Sequence, residues 1–200
     1  MYFIGLDLGQ RRDFSAIAVI QRQDRMAAWS PNPTCSLFVR HLERMELGMS
    51  YTEVTQRVCE IMQNPTMAGQ SRLVVDSTGV GAPVIDLLRD AGIGGCTTSV
   101  TITSGEQAHG SNERWSVPKK DLLTGLEILL EAGELIISSQ LQDADRLLKA
   151  LQAMHRASPG SGKVLADGPE HDDLALALAL ACWRAKRPRI GFGTSRLPGI

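Results

Sequence analysis

The stretch YFIGLDL at residues 2–8 decides the fold, together with SAIAVIQR at residues 15–22 and CSLFVRHL at residues 35–42. Each stretch is short and is either apolar throughout or alternates between apolar and polar residues, which is the pattern of a β-strand. Turn-forming or polar residues separate the three stretches. Three consecutive strands of this kind predict an antiparallel meander.

The rest of the chain alternates strands with helices. Further strands are predicted at residues 73–77 and 97–103, and a polar loop at residues 104–112. Because parallel neighbours need crossover helices, this order predicts an α/β fold with a mixed five-stranded sheet, three antiparallel strands followed by parallel ones, and helices on both faces. The helices are predicted at residues 51–62, 83–90, 118–132, 139–154 and 172–186. We assign residues 1–187 to one domain and residues 188–200 to a basic tail that contains Gly and Pro.

Composition describes an ordinary globular chain, with 43% hydrophobic and 22% charged residues. The four cysteines have no CxxC spacing, so we expect reduced core residues and neither a disulfide framework nor a thiolate zinc site. There is no leader-like segment and no apolar run of bilayer length, which predicts a cytoplasmic location. The net charge of −1 gives no overall basic footprint, but basic residues are concentrated after Trp183. They are Arg184, Lys186, Arg187, Arg189 and Arg196.

Aspartates stand at three places where an apolar pattern predicts none. Asp7 and Asp76 lie within apolar strands, and Asp172 and Asp173 directly precede the most apolar helix. Burying an ionised carboxylate without a partner is costly, and such departures are expected where function outweighs stability. Simpler explanations exist, because Asp172 or Asp173 could cap the helix and Asp76 could be a turn residue.

The strand aspartates predict a metal site if their strands are adjacent and parallel. Their carboxylates would then converge, and like charges so close resist ionising together. A divalent cation removes that conflict, and hard oxygen ligands favour Mg²⁺ or Mn²⁺. Two such ions, about 4 Å apart, can activate a water and stabilise a leaving oxygen in phosphodiester hydrolysis.

Four segments carry a family resemblance. Residues 5–19 (GLDLG and DFSAIAV), 73–88 (LVVDSTGVGAPVIDLL), 117–137 and 171–183 (HDDLALALALACW) resemble the nuclease domain of phage and prophage large terminase subunits. The resemblance implies a ribonuclease H-like fold and a metal-dependent endonuclease that cleaves double-stranded DNA with two Mg²⁺ or Mn²⁺ ions during viral genome packaging. It implies a location in the host cytoplasm. Partners implied with it are a terminase ATPase or small subunit and the portal.

The resemblance also assigns residues. It implies that Asp7, Asp76 and Asp172 form the acidic metal-binding triad, with Asp173 as a supporting ligand or as the true third ligand. Lys119 would lie beside the active site and contact the scissile phosphate, although a solvated helix start explains that lysine equally well.

Two other functions compete with this interpretation. A Holliday-junction resolvase-like nuclease would share the fold and the acidic site, and the DSTGVG turn and the HDDL helix start favour the terminase resemblance over it. An actin-like ATP-binding module would need a second lobe for which 200 residues leave no room. The segment GSGKV at residues 160–164 lacks the first glycine and the hydroxyl residue of a P-loop, so no ATPase is expected in this chain.

Overall fold

A computed structural model of the chain describes residues 1–9, 13–25, 34–79, 82–111, 113–156 and 173–187. These residues form one mixed sheet flanked by helices. The strands are β1 Tyr2–Asp7, β2 Ala16–Arg25, β3 Thr34–Arg44, β4 Ser71–Asp76, β5 Thr97–Thr103, β6 His109–Ser111, β7 Arg114–Pro118 and β8 Leu135–Ile136. The α-helices are α1 Tyr51–Met62, α2 Ala82–Asp90, α3 Lys119–Glu131, α4 Ala144–Arg156 and α5 Asp173–Lys186.

The strand order across the sheet is β6-β7-β5-β4-β1-β2-β3-β8. Strands β1, β2 and β3 form an antiparallel meander, whereas β1, β4, β5 and β7 run parallel to one another. The five strands predicted from the sequence make up the centre of this sheet, and helices cover both faces. The predicted fold class is therefore confirmed, and three short strands extend the sheet beyond the predicted five.

Two local predictions are wrong. Residues 109–111, predicted as loop, form β6, because pairing with β7 supplies backbone hydrogen bonds that an exposed polar sequence does not signal. Helix α4 begins at Ala144 and not at Ser139. Asp143, just before it, has a φ of +60°, which lies outside the right-handed helical region, so the helix cannot extend back through this residue.

Alternate residues of the central strands face two separate cores. Ile4, Leu6 and Val75 point toward α1 and α2, whereas Phe3 and Val74 point toward α3, α4 and α5. Helix α1 begins with a full capping box, in which the Ser50 side chain accepts a hydrogen bond from the Glu53 N–H and the Glu53 carboxylate accepts one from the Ser50 N–H. This capping fixes the start of the helix at the predicted residue.

Helix α5 lies directly on the middle of the sheet. It contacts β1, β2 and β4 and is flanked by α3 and α4, which explains why nearly all of its side chains are buried. At Gly5 the approach is so close that an added Cβ would lie 1.8 Å from the Ala177 carbonyl oxygen. Glycine is thus required in β1 for α5 to pack there. No helix within the described ranges is long and apolar enough to cross a membrane.

Candidate active site

Several elements begin or end at one edge of the sheet. Strands β1, β3, β4 and β7 all run in the same direction and end at this edge, at Asp7, Arg44, Asp76 and Pro118 respectively. Helix α3 starts immediately after β7, at Lys119. An ion pair between Asp173 and Arg44 places the start of α5 at the same edge. Charged side chains distant in sequence are therefore gathered in one region.

Asp7 and Asp76 occupy neighbouring positions at this edge. Strands β1 and β4 are parallel, and their register pairs Leu6 with Val75, so the next residue on each strand is an aspartate. Adjacent strands are about 4.8 Å apart. Because residues alternate between faces, Asp7 follows Gly5 and Asp76 follows Val74 on the face covered by α5. The adjacency on which the predicted metal site depends is thus present.

Asp76 is a buried carboxyl group, with 8% of the residue exposed. Burial raises its pKa, and this effect outweighs the hydrogen bonds from Thr78 and the positive charge of Lys119, which both lower it. The Thr78 N–H donates to Asp76 Oδ1 at 2.8 Å and fixes the orientation of the carboxyl group. Because ionised Asp76 is poorly solvated, a bound cation would stabilise it.

Asp173 is also buried, and it is tied to a partner. Arg44 Nε donates to Asp173 Oδ2 at 2.7 Å, and the Leu174 N–H donates to Asp173 Oδ1 at 2.8 Å. Both carboxylate oxygens therefore accept hydrogen bonds from within the protein.

Lys119 begins α3 at this edge, its positive charge lowers the pKa of Asp76, and its side chain is half-buried. Asp172 lies outside the described residues. Of the predicted site residues, the structure thus brings Asp7, Asp76, Asp173 and Lys119 to one edge of the sheet. Their assignment as catalytic residues and metal ligands stays a prediction.

Asp7 and Asp76 fit a divalent cation in the chemistry of their donors. They offer hard carboxylate oxygens from adjacent strands on one face, and the burial of Asp76 favours a compensating positive charge. Within the described ranges, which omit Asp172, no three His, Cys, Asp or Glu side chains form a metal-binding group. The two strand aspartates are therefore the described members of the predicted triad of Asp7, Asp76 and Asp172.

Arg44 also lies at this edge of the sheet, and the sequence did not predict it there. Val39 and Leu42 both pack in the core on the α5 side, although they are three residues apart, because the pairing of β2 with β3 shifts register between Val19 and Ile20. Such a β-bulge reverses the alternation of side chains along the strand. Arg44 consequently shares a face with Leu42 and with the aspartates. Simple alternation from the start of β3 would have placed it on the opposite face.

The basic end of the chain is partly engaged within the domain. Lys186 forms an ion pair with Glu134 at 2.6 Å, and the Arg187 guanidinium lies 4.2 Å from the ring centroids of both Trp115 and Trp183. Helix α5 has 14 residues and is about 21 Å long, so this end lies far from Asp173. Arg189 and Arg196 lie outside the described residues. The predicted contribution of the tail to DNA binding stays untested.

A groove of about 340 Å³ lies beside α2. Its lining includes Arg89, Thr101 and Arg114, and its residue nearest in sequence to the site is Ser77. Asp7 and Asp76 do not line it. The carboxylates thus stand at an edge of the sheet and outside the lining of this groove.

The sequence profile of the family described as "Terminase RNaseH-like domain" matches residues 4–184. The chain belongs to this family. The "Terminase, large subunit" of Thermus phage G20c is 26% identical over 181 residues, which are 90% of this chain and 31% of that protein. The corresponding protein of Thermus virus P23-45 is 25% identical over the same shares. This terminase RNaseH-like domain therefore spans about a third of the length of these phage relatives.

Solved structures agree with the fold. The human cytomegalovirus terminase nuclease domain is 11% identical and has a TM-score of 0.51, with 91% of this chain and 82% of that chain covered. The nuclease domain of the large terminase from bacteriophage SPP1, solved with bound Mn, is 13% identical and has a TM-score of 0.50, with 92% and 85% covered. At these identities the likeness establishes the ribonuclease H-like fold of this terminase domain.

Proposed function

We propose that this terminase RNaseH-like domain is a divalent-metal-dependent endonuclease that cleaves double-stranded DNA, as the nuclease part of a large terminase subunit in viral genome packaging. One observation carries the proposal. Asp7 and Asp76 stand side by side on parallel strands, on one face and at one edge of the sheet, and Asp76 is buried with a raised pKa. The Mn-bound SPP1 relative is consistent with divalent metal use.

The residues then have distinct roles. Asp7, Asp76 and Asp172 are proposed to hold two Mg²⁺ or Mn²⁺ ions, with Asp173 in support. When bound, such ions supply an activated water and stabilise the leaving oxygen. The Thr78 N–H orients the Asp76 carboxylate. The proposed role of the Lys119 ammonium is to attract a DNA phosphate toward the aspartates, which its effect on the Asp76 pKa supports. Double-stranded DNA is the proposed substrate, and the host cytoplasm is the proposed location. A terminase ATPase or small subunit and the portal are the proposed partners.

Nuclease assays with paired variants test the proposal. We expect purified protein to cut linear and supercoiled duplex DNA with Mg²⁺ or Mn²⁺, to stop with chelator, and to be indifferent to ATP. Asp7→Asn and Asp76→Asn should each lower the rate more than about a hundredfold, since even outer-shell changes at metal sites cost 10–100-fold. The matched control is Asp86→Asn, which removes an exposed carboxylate paired with Arg89 on α2. It should cleave like the wild type.

Two outcomes would contradict the proposal. Chelator-resistant cleavage, or wild-type rates in both the Asp7 and the Asp76 variants, would exclude this metal site. A four-way junction with the same arms as the linear duplex separates the terminase function from the resolvase alternative. Symmetric nicks confined to the junction, with the linear duplex untouched, would favour a resolvase.

A further inference from the structure

The ion pair between Arg44 and Asp173 is the most enclosed one in the described part of the chain. Each of the two side chains is 10% exposed, whereas each of the other ion pairs includes a side chain that is at least 33% exposed. It joins the last residue of β3 to the first residue of α5 at the edge where Asp7 and Asp76 lie. Desolvation offsets much of the attraction in a buried ion pair, so the stability that this pair contributes does not by itself account for it.

Besides Asp173, two other described residues hold Arg44 in place, Phe14 and Asp143. Its guanidinium carbon lies 3.5 Å from the centroid of the Phe14 ring, and its backbone N–H donates to Asp143 Oδ2 at 3.1 Å. Asp143 in turn pairs with Arg146 in the first turn of α4. The planar guanidinium stacks on a ring and hydrogen-bonds in its plane at the same time, which a lysine cannot do. The direction of the Nε–H toward Asp173 is thereby determined.

We propose that Arg44 is a positioning residue of the nuclease site. It holds the Asp173 carboxylate at the start of α5 and keeps it out of the metal-ligand set to which Asp7 and Asp76 belong. This inference rests on the proposed function. It is supported by the engagement of both Asp173 oxygens, one by Arg44 and one by the Leu174 N–H, because the Arg44 charge offsets the negative charge that would attract a cation.

Charge makes the inference testable without cleavage. In the register of the sheet, Asp7 pairs with Ala16 and Ala16 pairs with Arg44, so the Arg44 backbone is two strand spacings, about 10 Å, from Asp7. Removing one charge of the pair changes the net charge near the bound cation by one unit. Over about 10 Å, at an effective dielectric constant between those of protein and water, one unit charge changes the affinity for a divalent ion by roughly tenfold.

The experiment measures Mn²⁺ binding by titration calorimetry for Arg44→Gln, Asp173→Asn and the double variant. We expect Arg44→Gln to bind Mn²⁺ roughly tenfold more tightly, Asp173→Asn roughly tenfold more weakly, and the double variant with wild-type affinity. Arg44→Lys keeps the charge and should keep the affinity, but it should lower the melting temperature in chelator because the stacking on Phe14 is lost. Arg44→Gln should cleave DNA more slowly than the wild type. The double variant should cleave no more slowly than Asp173→Asn alone.

Other patterns overturn the inference. If Asp173 is a direct ligand, the double variant will bind as weakly as Asp173→Asn. If Arg44 has only a structural role, Arg44→Gln will lower the melting temperature without tightening Mn²⁺ binding, as expected for the control Arg57→Gln, which breaks the Arg57–Glu43 pair on the other side of β3. If the wild type binds no Mn²⁺, the proposed function itself is contradicted. That result differs from a wild type that binds Mn²⁺ while the variants show another order of Mn²⁺ affinities, which contradicts only the role of Arg44.

Discussion

Leu6 and Asp7 are neighbours on β1, and Val75 and Asp76 are neighbours on β4, but the two members of each pair serve opposite faces of the sheet. On the α1 and α2 face, Leu6 and Val75 are fully buried in an apolar core. On the α5 face the strands end in carboxylates. Because successive side chains of a strand point to opposite faces, one residue can stabilise the fold while the next presents a charged group.

The largest stability effect is expected on the apolar face. Leu6→Ala should lower the free energy of unfolding by about 2–5 kcal/mol, because a fully buried leucine is replaced and a cavity remains. Urea unfolding of metal-free protein measures this change. Cleavage per folded molecule should be nearly unchanged. A loss of activity without a loss of stability would contradict the assignment of Leu6 to the apolar core alone.

Asp76→Asn changes the charged face of the sheet, and its effect on stability is to be compared with that of Leu6→Ala. Burial raises the pKa of Asp76, so the folded protein holds the proton more tightly than the unfolded chain does. The neutral carboxyl therefore contributes to the stability of the folded protein. This contribution is complete below the ordinary pKa of 3.8 and is lost as the pH rises through the raised pKa of Asp76 in the folded state. Metal-free Asp76→Asn should therefore be at least as stable as wild type at neutral pH, with an advantage that disappears in acid. A variant less stable than wild type at neutral pH would contradict this assignment.

Gly5→Ala tests how closely α5 must lie on the charged face. The new methyl group would collide with the Ala177 backbone, and overpacking of this kind typically costs about 1–3 kcal/mol. Cleavage should also fall, because the start of α5 would move. The control is Gly125→Ala in α3, where an added Cβ meets nothing within 4 Å. Thermal unfolding should show Gly125→Ala unchanged or slightly stabilised. Equal effects at both glycines would argue against the close packing.

The smallest effect is expected at the start of α1, far from the charged edge. Ser50→Ala removes the acceptor for the Glu53 N–H and should lower stability by about 1 kcal/mol. Cleavage and Mn²⁺ affinity should equal those of the wild type. The measurement is the midpoint of urea unfolding, and a change in Mn²⁺ affinity would show that the α1 face is coupled to the site.

Elements with strong local signals were predictable from the sequence. The start of α1 follows from Ser50 as an N-cap, and its extent follows from apolar spacing and from Pro65 beyond its end. The five central strands follow from their period and from the turns between them. The convergence of Asp7 and Asp76 also followed, once parallel adjacency was assumed. Strand β8 could not be predicted, because two residues carry no period and the strand exists only through pairing with β3.

The placement of Arg44 could not be predicted for a different reason. A bulge in β3 is a property of its pairing with β2, and it reverses the face of every residue that follows it. The ion pair between Arg44 and Asp173 joins residues 129 positions apart, so no local pattern reports it. The start of α4 was mispredicted for a related reason, since Asp143 leaves the helical region and accepts a hydrogen bond from Arg44.

The packing of α5 on β1 also bears on how the chain folds. The first strand and the last helix of the described chain form one core, although about 170 residues separate Gly5 from Ala177. Contacts of such long sequence separation form slowly, because a long loop must close before they are made. During synthesis, β1 and β4 leave the ribosome well before the helix that covers them. The edge that gathers Asp7, Asp76 and Arg44 is therefore completed only after α5 has left the ribosome and packed on β1.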